Sequence, residues 1–132
     1  MQYMILMGYH VEGVQPITTW DPADVDRHIQ FQHDLAAELR ERGEFVDGQG
    51  LAGPEDAKIV IAKDPGTPAI TDGPFPESKE FLAGYWTVDV DDEARAIAIA
   101  AKASAAPGPG GEPLGHPVEV RAVMAAPATP ES

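Results

Sequence analysis

The chain opens on "QYMILMG" (2–8), a short apolar run rich in strand formers and closed by Gly8, which predicts a first strand. A Gly- and Pro-broken stretch follows (9–20), and then the hydrophobic period changes. At ~100° per residue Val25, Ile29, Gln32, Leu35, Ala36 and Leu39 fall on one face, with Asp26, Gln30, Asp34 and Glu41 opposite. Asp21 is a capping residue type, Pro22 suits the first helical position, Asp24 complements the dipole, and Gly43 stops the helix. "EFVDGQGL" (44–51) and "AKIVIAK" (57–63) predict two more strands, with a brief extended piece at "PAIT". "FLAGYWTVDV" (81–90) is the longest strand pattern: Leu82, Trp86, Val88 and Val90 share one face, Tyr85, Thr87 and Asp89 the other.

"DDEARAIAIAAKASAA" (91–106) is Ala-rich with three acids at its start, which predicts a second helix. "PGPGGEPLGHP" (107–117) holds too much Pro and Gly for a regular element and is expected to be a surface loop or flap. "VEVRAVM" (118–124) predicts the last strand, and 125–132 a flexible C-terminal tail. One domain is therefore expected over 1–124. Its order is βαββαβ with an extra β-ribbon, the ferredoxin-like α+β pattern of an antiparallel sheet covered on one face by two helices. The uncovered face cannot carry Ile, Val and Tyr bare in water, so a homodimer is expected.

Composition narrows the partners. Lys and Arg number 9 against 22 Asp and Glu, a formal net charge of -13. Such a surface repels phosphate backbones and anionic lipid, so neither nucleic acid nor membrane is an expected partner. With no Cys there is no disulfide scaffold, thiolate metal site or Cys nucleophile. The start lacks a basic leader and any apolar run of membrane length, so a cytoplasmic location is expected.

The candidate chemistry rests on a few side chains. His28 lies near the middle of the apolar face of the first helix, one turn before Gln32, while His33 projects from its edge. Histidine titrates near neutrality and can act as a base, although a His on an apolar face also serves as a hydrogen-bonded core residue. Asp72 precedes Gly73-Pro74, where Asp ordinarily fixes its own turn; otherwise it orients a His or a ligand. Lys79 and Glu80 follow in the same charged loop. Tyr85 and Thr87 share one strand face, as do Glu119 and Arg121, so a phenol, a carboxylate and a guanidinium could converge on the uncovered side. Buried there, they require an internal ion pair, a dimer contact or a polar ligand pocket. The four His form no i, i+4 ligand pair, and no Gly-rich phosphate loop with a Lys is present, so neither metal nor cofactor is expected.

"TDGPFPESKE" followed by "FLAGYWTVDVDD" resembles the YCII-related proteins and, within them, the DGPF branch. "ELRERGEFVDGQGL", the acid-started second helix and the closing "VEVRAVM" extend the resemblance to about residues 2–124. The resemblance implies a dimeric α+β barrel, a cleft between the sheet and either the first helix or the partner subunit, and an acid–base pair of a helix-one His with a nearby acid. At the family's helix-one His position this chain has Gln32, flanked by His28 and His33. The expectation is therefore a cofactor-free lyase- or isomerase-type enzyme. His28 and Asp72 would be catalytic, and Gln32, His33, Lys79, Glu80, Tyr85 and Arg121 would contact a small-molecule ligand. The alternative is a non-catalytic ligand-binding or regulatory module, linked through the DGPF branch to an extracytoplasmic-function sigma-factor pathway.

Overall fold

The computed structural model describes residues 1–8, 14–63, 66–73 and 82–124. Its main sheet has four antiparallel strands in the order β2-β5-β1-β6, where β1 is Gln2–Gly8, β2 Phe45–Gly50, β5 Leu82–Asp89 and β6 Val118–Ala122. Two helices, α1 (Pro22–Glu41) and α2 (Glu93–Ser104), complete an α+β fold compatible with the ferredoxin-like arrangement. A separate two-stranded sheet pairs β3 (Lys58–Ile61) with β4 (Ala69–Asp72) within the β2–β5 connection.

Alternation along the strands decides which face the helices cover. Tyr3 and Ile5 of β1 and Trp86 and Val88 of β5 are buried against Leu35 and Leu39 of α1 and Ala96 and Ile99 of α2. In antiparallel pairing, directly opposed residues share a face. Ile5 opposes Trp86 and Val120 on the helix side, whereas Leu6 opposes Tyr85 and Glu119, and Met4 opposes Thr87 and Arg121, on the open side.

The ends of α2 are tied down locally. Asp92 caps it by accepting a hydrogen bond from the Arg95 amide at 2.9 Å. The Arg95 guanidinium donates to both oxygens of Glu44, each at 2.8 Å, which joins α2 to the start of β2. Arg42 adds a third N–H donor to Glu44 at 2.9 Å, and these charge-assisted bonds, Arg95 foremost, hold its carboxyl below the ordinary carboxylate range.

Helix α1 departs from the sequence pattern in two ways, at its cap and in the extent of its buried face. Asp21 occupies the cap position but accepts no side-chain capping bond, and Asp24 is the acid of the first turn. Gly43 takes φ +71, the left-handed conformation that ends the helix, as expected. Burial is confined to Leu35, Ala36 and Leu39, and Ile29 is 43% exposed despite its place on the apolar face. A helical wheel assumes one neighbour along the whole helix. Here only the C-terminal half of α1 packs on the core, and the N-terminal half faces other surroundings.

The segment 107–117 lies on the surface as its composition suggests, with 109–113, 115 and 117 exposed, but it is fastened to both helices. The amides of Leu114 and Gly115 donate to the carbonyls of Ala106 and Ser104, and the Ser104 hydroxyl donates to the His116 carbonyl at 2.6 Å. Gly108 and His116 are buried. The Gly110 amide then donates to Asp24, fastening this segment to the first turns of α1.

Candidate functional site

Between the face of α1 that carries His28, Gln32, Ala36 and Arg40 and the helix-facing side of the sheet lies a cleft of about 810 Å³, within the range of small-molecule sites. Three glycines line its floor. Gly48 opposes Trp86 and Gly50 opposes Gly84, so all three glycines stand on the face that elsewhere carries Val88 and Ile5. A Cβ at Gly48 would lie 2.3 Å from Trp86 Cδ1, and one at Gly84 would lie 2.9 Å from the Gln49 carbonyl, so close packing demands glycine at both. A Cβ at Gly50 would meet nothing within 4 Å and would enter the cleft.

The walls combine aromatic and basic groups: Trp20 and Ile17 from the turn before α1, Trp86 from β5, His28, Gln32, His33 and Arg40 from α1, and Leu114 and His116 from the segment after α2. Trp20 stacks edge-on against His28 at 5.5 Å between ring centroids, and its indole N–H donates to the Gln15 carbonyl at 2.8 Å. Arg40 spreads its guanidinium over the Phe45 ring at 4.4 Å from the centroid, a cation–π contact.

Hydrogen bonding fixes the state of His28. Its Nδ1 lies 2.9 Å from the Pro107 carbonyl, which can only accept, so Nδ1 carries a proton. In the neutral ring Nε2 is then an acceptor, and it lies 3.1 Å from the side-chain nitrogen of Gln32, which donates to it. A carboxamide presents a donor at one end and an acceptor at the other, so rotation of the Gln32 amide would serve the protonated ring equally well.

His116 is 7% exposed, and its Nδ1 has no hydrogen-bond partner among the described residues. Burial lowers its pKa, and a positive charge on nearby His28 lowers it further, so the ring is held neutral. Its role was not legible in the sequence, where a His in a Pro- and Gly-rich run reads as a loop residue. The one available signal was that "LGHPVEV" places His116 just before a strand that borders β1.

The residues singled out in the sequence divide into separate groups. His28, Gln32 and His33 line the cleft. Asp72 does not: its carboxylate, 85% exposed, pairs with Lys58 across the β3–β4 hairpin. Tyr85 and Arg121 stand on the open face of the sheet, where Tyr85 donates to Asp47 at 3.3 Å and Arg121 lies 3.7 Å from Glu119. The Asp47 carboxylate beside the Tyr85 hydroxyl raises its pKa. Lys79, Glu80 and the Pro74-Phe75 half of the DGPF motif lie outside the described residues, as does the 125–132 tail.

No curated protein matches the chain. The YCII-related domain family, however, matches residues 1–110, a span that carries β1, α1 with its histidine, the glycine floor, β5 and α2. By that match the chain belongs to the YCII-related family.

Proposed function

We propose that the cleft beneath α1 binds a small organic molecule and that His28 acts on it as a cofactor-free acid–base residue of lyase or isomerase type. The observation that carries this reading is the pairing of His28 with Gln32 inside an 810 Å³ cleft. The Pro107 carbonyl fixes the tautomer so that Nε2 is the atom that gains and loses the proton. A substrate that exchanges this proton takes the place of the Gln32 amide at Nε2, while the bond from Nδ1 to Pro107 keeps the ring oriented through the transfer. In this reading the orienting contact comes from Pro107 rather than from a carboxylate, since Asp72 is engaged with Lys58. Assignment to the DGPF branch, homodimerisation through the open face and a cytoplasmic location belong to the same proposal.

A second reading, a non-catalytic ligand-binding or regulatory module, is favoured by one observation. Both ring nitrogens of His28 have partners within the chain, so the residue also serves as a strut between α1 and the segment after α2. Proton exchange separates the two. The protein is incubated in D₂O with a panel of carbonyl-activated carbon acids, and deuterium incorporation is followed by NMR. Acid–base function predicts catalysed exchange that His28→Ala abolishes. Binding of panel members without exchange supports the module.

A further inference from the structure

The cleft differs in charge from the molecule that contains it. The chain has 22 acidic side chains, yet the described residues lining the cleft include no carboxylate; their ionisable groups are His28, His33, His116 and Arg40. Arg40 is also free to act. Arg27, Arg42, Lys58, Arg95, Lys102 and Arg121 each have a carboxylate partner; Arg40 and Lys63 have none among the described residues, and of these two only Arg40 lines the cleft, with its guanidinium over the Phe45 ring. In so acidic a protein an unneutralised guanidinium beside a cavity is a lone positive site in a negative field, and a guanidinium is the group best suited to a carboxylate.

A second and independent observation comes from His116. His116 is buried and lines the cleft, and its Nδ1 has no hydrogen-bond partner among the described residues. An unpaired buried polar atom is rare in a native structure and calls for an explanation, and a bound group that completes its hydrogen bonding is one. The rest of the lining is apolar and partly flat, with Trp20, Trp86, Ile17, Leu51 and Leu114. At Gly50 nothing lies within 4 Å of where a side chain would begin, so the floor is open there for a planar body, with the Trp86 ring packed over Gly48 beside it.

We infer that the ligand of this cleft is an organic carboxylate with an apolar, ring-sized body, its carboxylate held at the Arg40 and histidine side and its body lying between Trp20, Trp86 and the glycine floor. The inference rests on the proposed function of the cleft as a small-molecule site and names the class of molecule it takes. An anion in the cleft opposes the burial and the neighbouring charge that hold His116 neutral, and so favours its protonation. The histidines facing the anion are His28 and His33 from α1 and His116 from the segment after α2, with Arg40 the remaining charge. Binding is therefore accompanied by proton uptake at neutral pH.

The test uses matched probes and the full chain. Phenylacetate, 1-naphthoate and cinnamate are titrated by calorimetry and by NMR of the tryptophan indole signals. Each is compared with its primary amide and with the corresponding arylalkylamine. The expected result is that the acids bind at least about tenfold more tightly than their amides, with the amines weakest. Arg40→Met should bring acid and amide within about twofold of each other. Gly50→Leu, whose side chain enters open space, should abolish binding of every probe while the protein stays folded. Calorimetry in two buffers of different ionisation enthalpy should reveal the proton taken up. Amides or amines binding as well as the acids across the panel, still blocked by Gly50→Leu, would overturn the carboxylate assignment and leave the cleft as a binding site. Acids bound with no response to Gly50→Leu or Arg40→Met would overturn the assignment to this cleft. Binding of no probe at millimolar concentration would overturn both this inference and the cleft reading beneath it.

Discussion

The two faces of the main sheet are built from the same strands and do opposite things. On the helix side, Ile5, Val88, Leu39 and Ile99 are fully or almost fully removed from water, and the packing opens toward the end of the sheet where Gly48, Gly50 and Gly84 line the cleft, with free space at Gly50. On the open side, Met4, Leu6, Tyr85 and Thr87 are half-buried within one chain and are rimmed by Asp47, Glu119 and Arg121. The helix side is thus a core with a cleft cut into one end of it. The open side is a shallow apolar strip with a charged border, a pattern suited to a second copy of the chain. The difference teaches that glycine placement can create a binding volume where hydrophobic burial would otherwise close the fold. Chemistry and association can then occupy opposite faces of one sheet.

The sharpest way to break this comparison is to remove a side chain from the helix side away from the cleft. Leu39→Ala removes a residue with 0% exposure and should destabilise the protein by about 2–5 kcal/mol in denaturant titration. Truncating Thr87 on the open side to Ala should change stability by under about 1 kcal/mol, because that face is not closed within the chain. Equal losses would mean that the two faces are not distinct in the way described.

Next in size is the effect on association. If the open face joins two copies, Leu6→Asp places a charge in the middle of the strip and should weaken dimerisation by at least about a hundredfold. The change would be read as mass by light scattering across a concentration series, with the helical signal in circular dichroism retained. A wild-type protein that remains monomeric at high micromolar concentration would refute a role for this face in dimerisation.

Much of the helix side was legible in the sequence, and the reason is periodicity. The alternation in "FLAGYWTVDV" places Trp86 and Val88 together, and the helical spacing of Leu35, Ala36 and Leu39 finds their common face. The cleft was less legible, because its two defining features carry no pattern. Gly48, Gly50 and Gly84 read as interruptions of strands until their register is known, and only the register puts them on one side. His116 comes from beyond α2 and reaches the cleft through backbone bonds from Ser104 and Leu114 that no spacing rule reveals. Ile29 was misplaced for the converse reason, since the wheel continues a face that the core does not.

Acid should separate two contributions. The folded-state pKa of Glu44 is lowered by Arg95 and then Arg42, so its stabilisation is complete above the unfolded value of about 4.5 and is lost as pH falls through the lower folded value. His116 acts earlier. Its folded pKa lies below the ordinary 6.5, because burial and the nearby His28 oppose its charge, so the unfolded chain takes up the proton first and stability begins to fall as pH drops below 6.5. Melting temperatures from pH 8 to 3 should therefore fall in two stages. His116→Phe should flatten the first, and Glu44→Gln should cost about 1–2 kcal/mol at pH 7 while reducing the second. A single loss confined below pH 4.5 in the wild type would contradict the neutral, buried state of His116.

The smallest expected effect concerns Asp72. Its motif is the most conspicuous in the chain, yet its carboxylate is 85% exposed and paired with Lys58, which is itself 58% exposed, on a hairpin whose strands bond only to each other among the described residues. Exposed pairs of this kind contribute little, because solvent screens the attraction and two mobile side chains must be ordered to form it. Asp72→Asn keeps the shape and the turn-forming capacity of the side chain while removing its charge. The melting temperature should move by no more than about two degrees, and affinity of the cleft for an arylcarboxylate should stay within about twofold. His28→Asn in the same assays should change the affinity and loosen the α1 contact with Pro107. If Asp72→Asn instead abolishes turnover or binding as His28→Asn does, the hairpin must close over the cleft when a ligand is bound. The carboxylate would then take the orienting role that its place before Gly73 allows in the sequence, at the cost of its bond to Lys58.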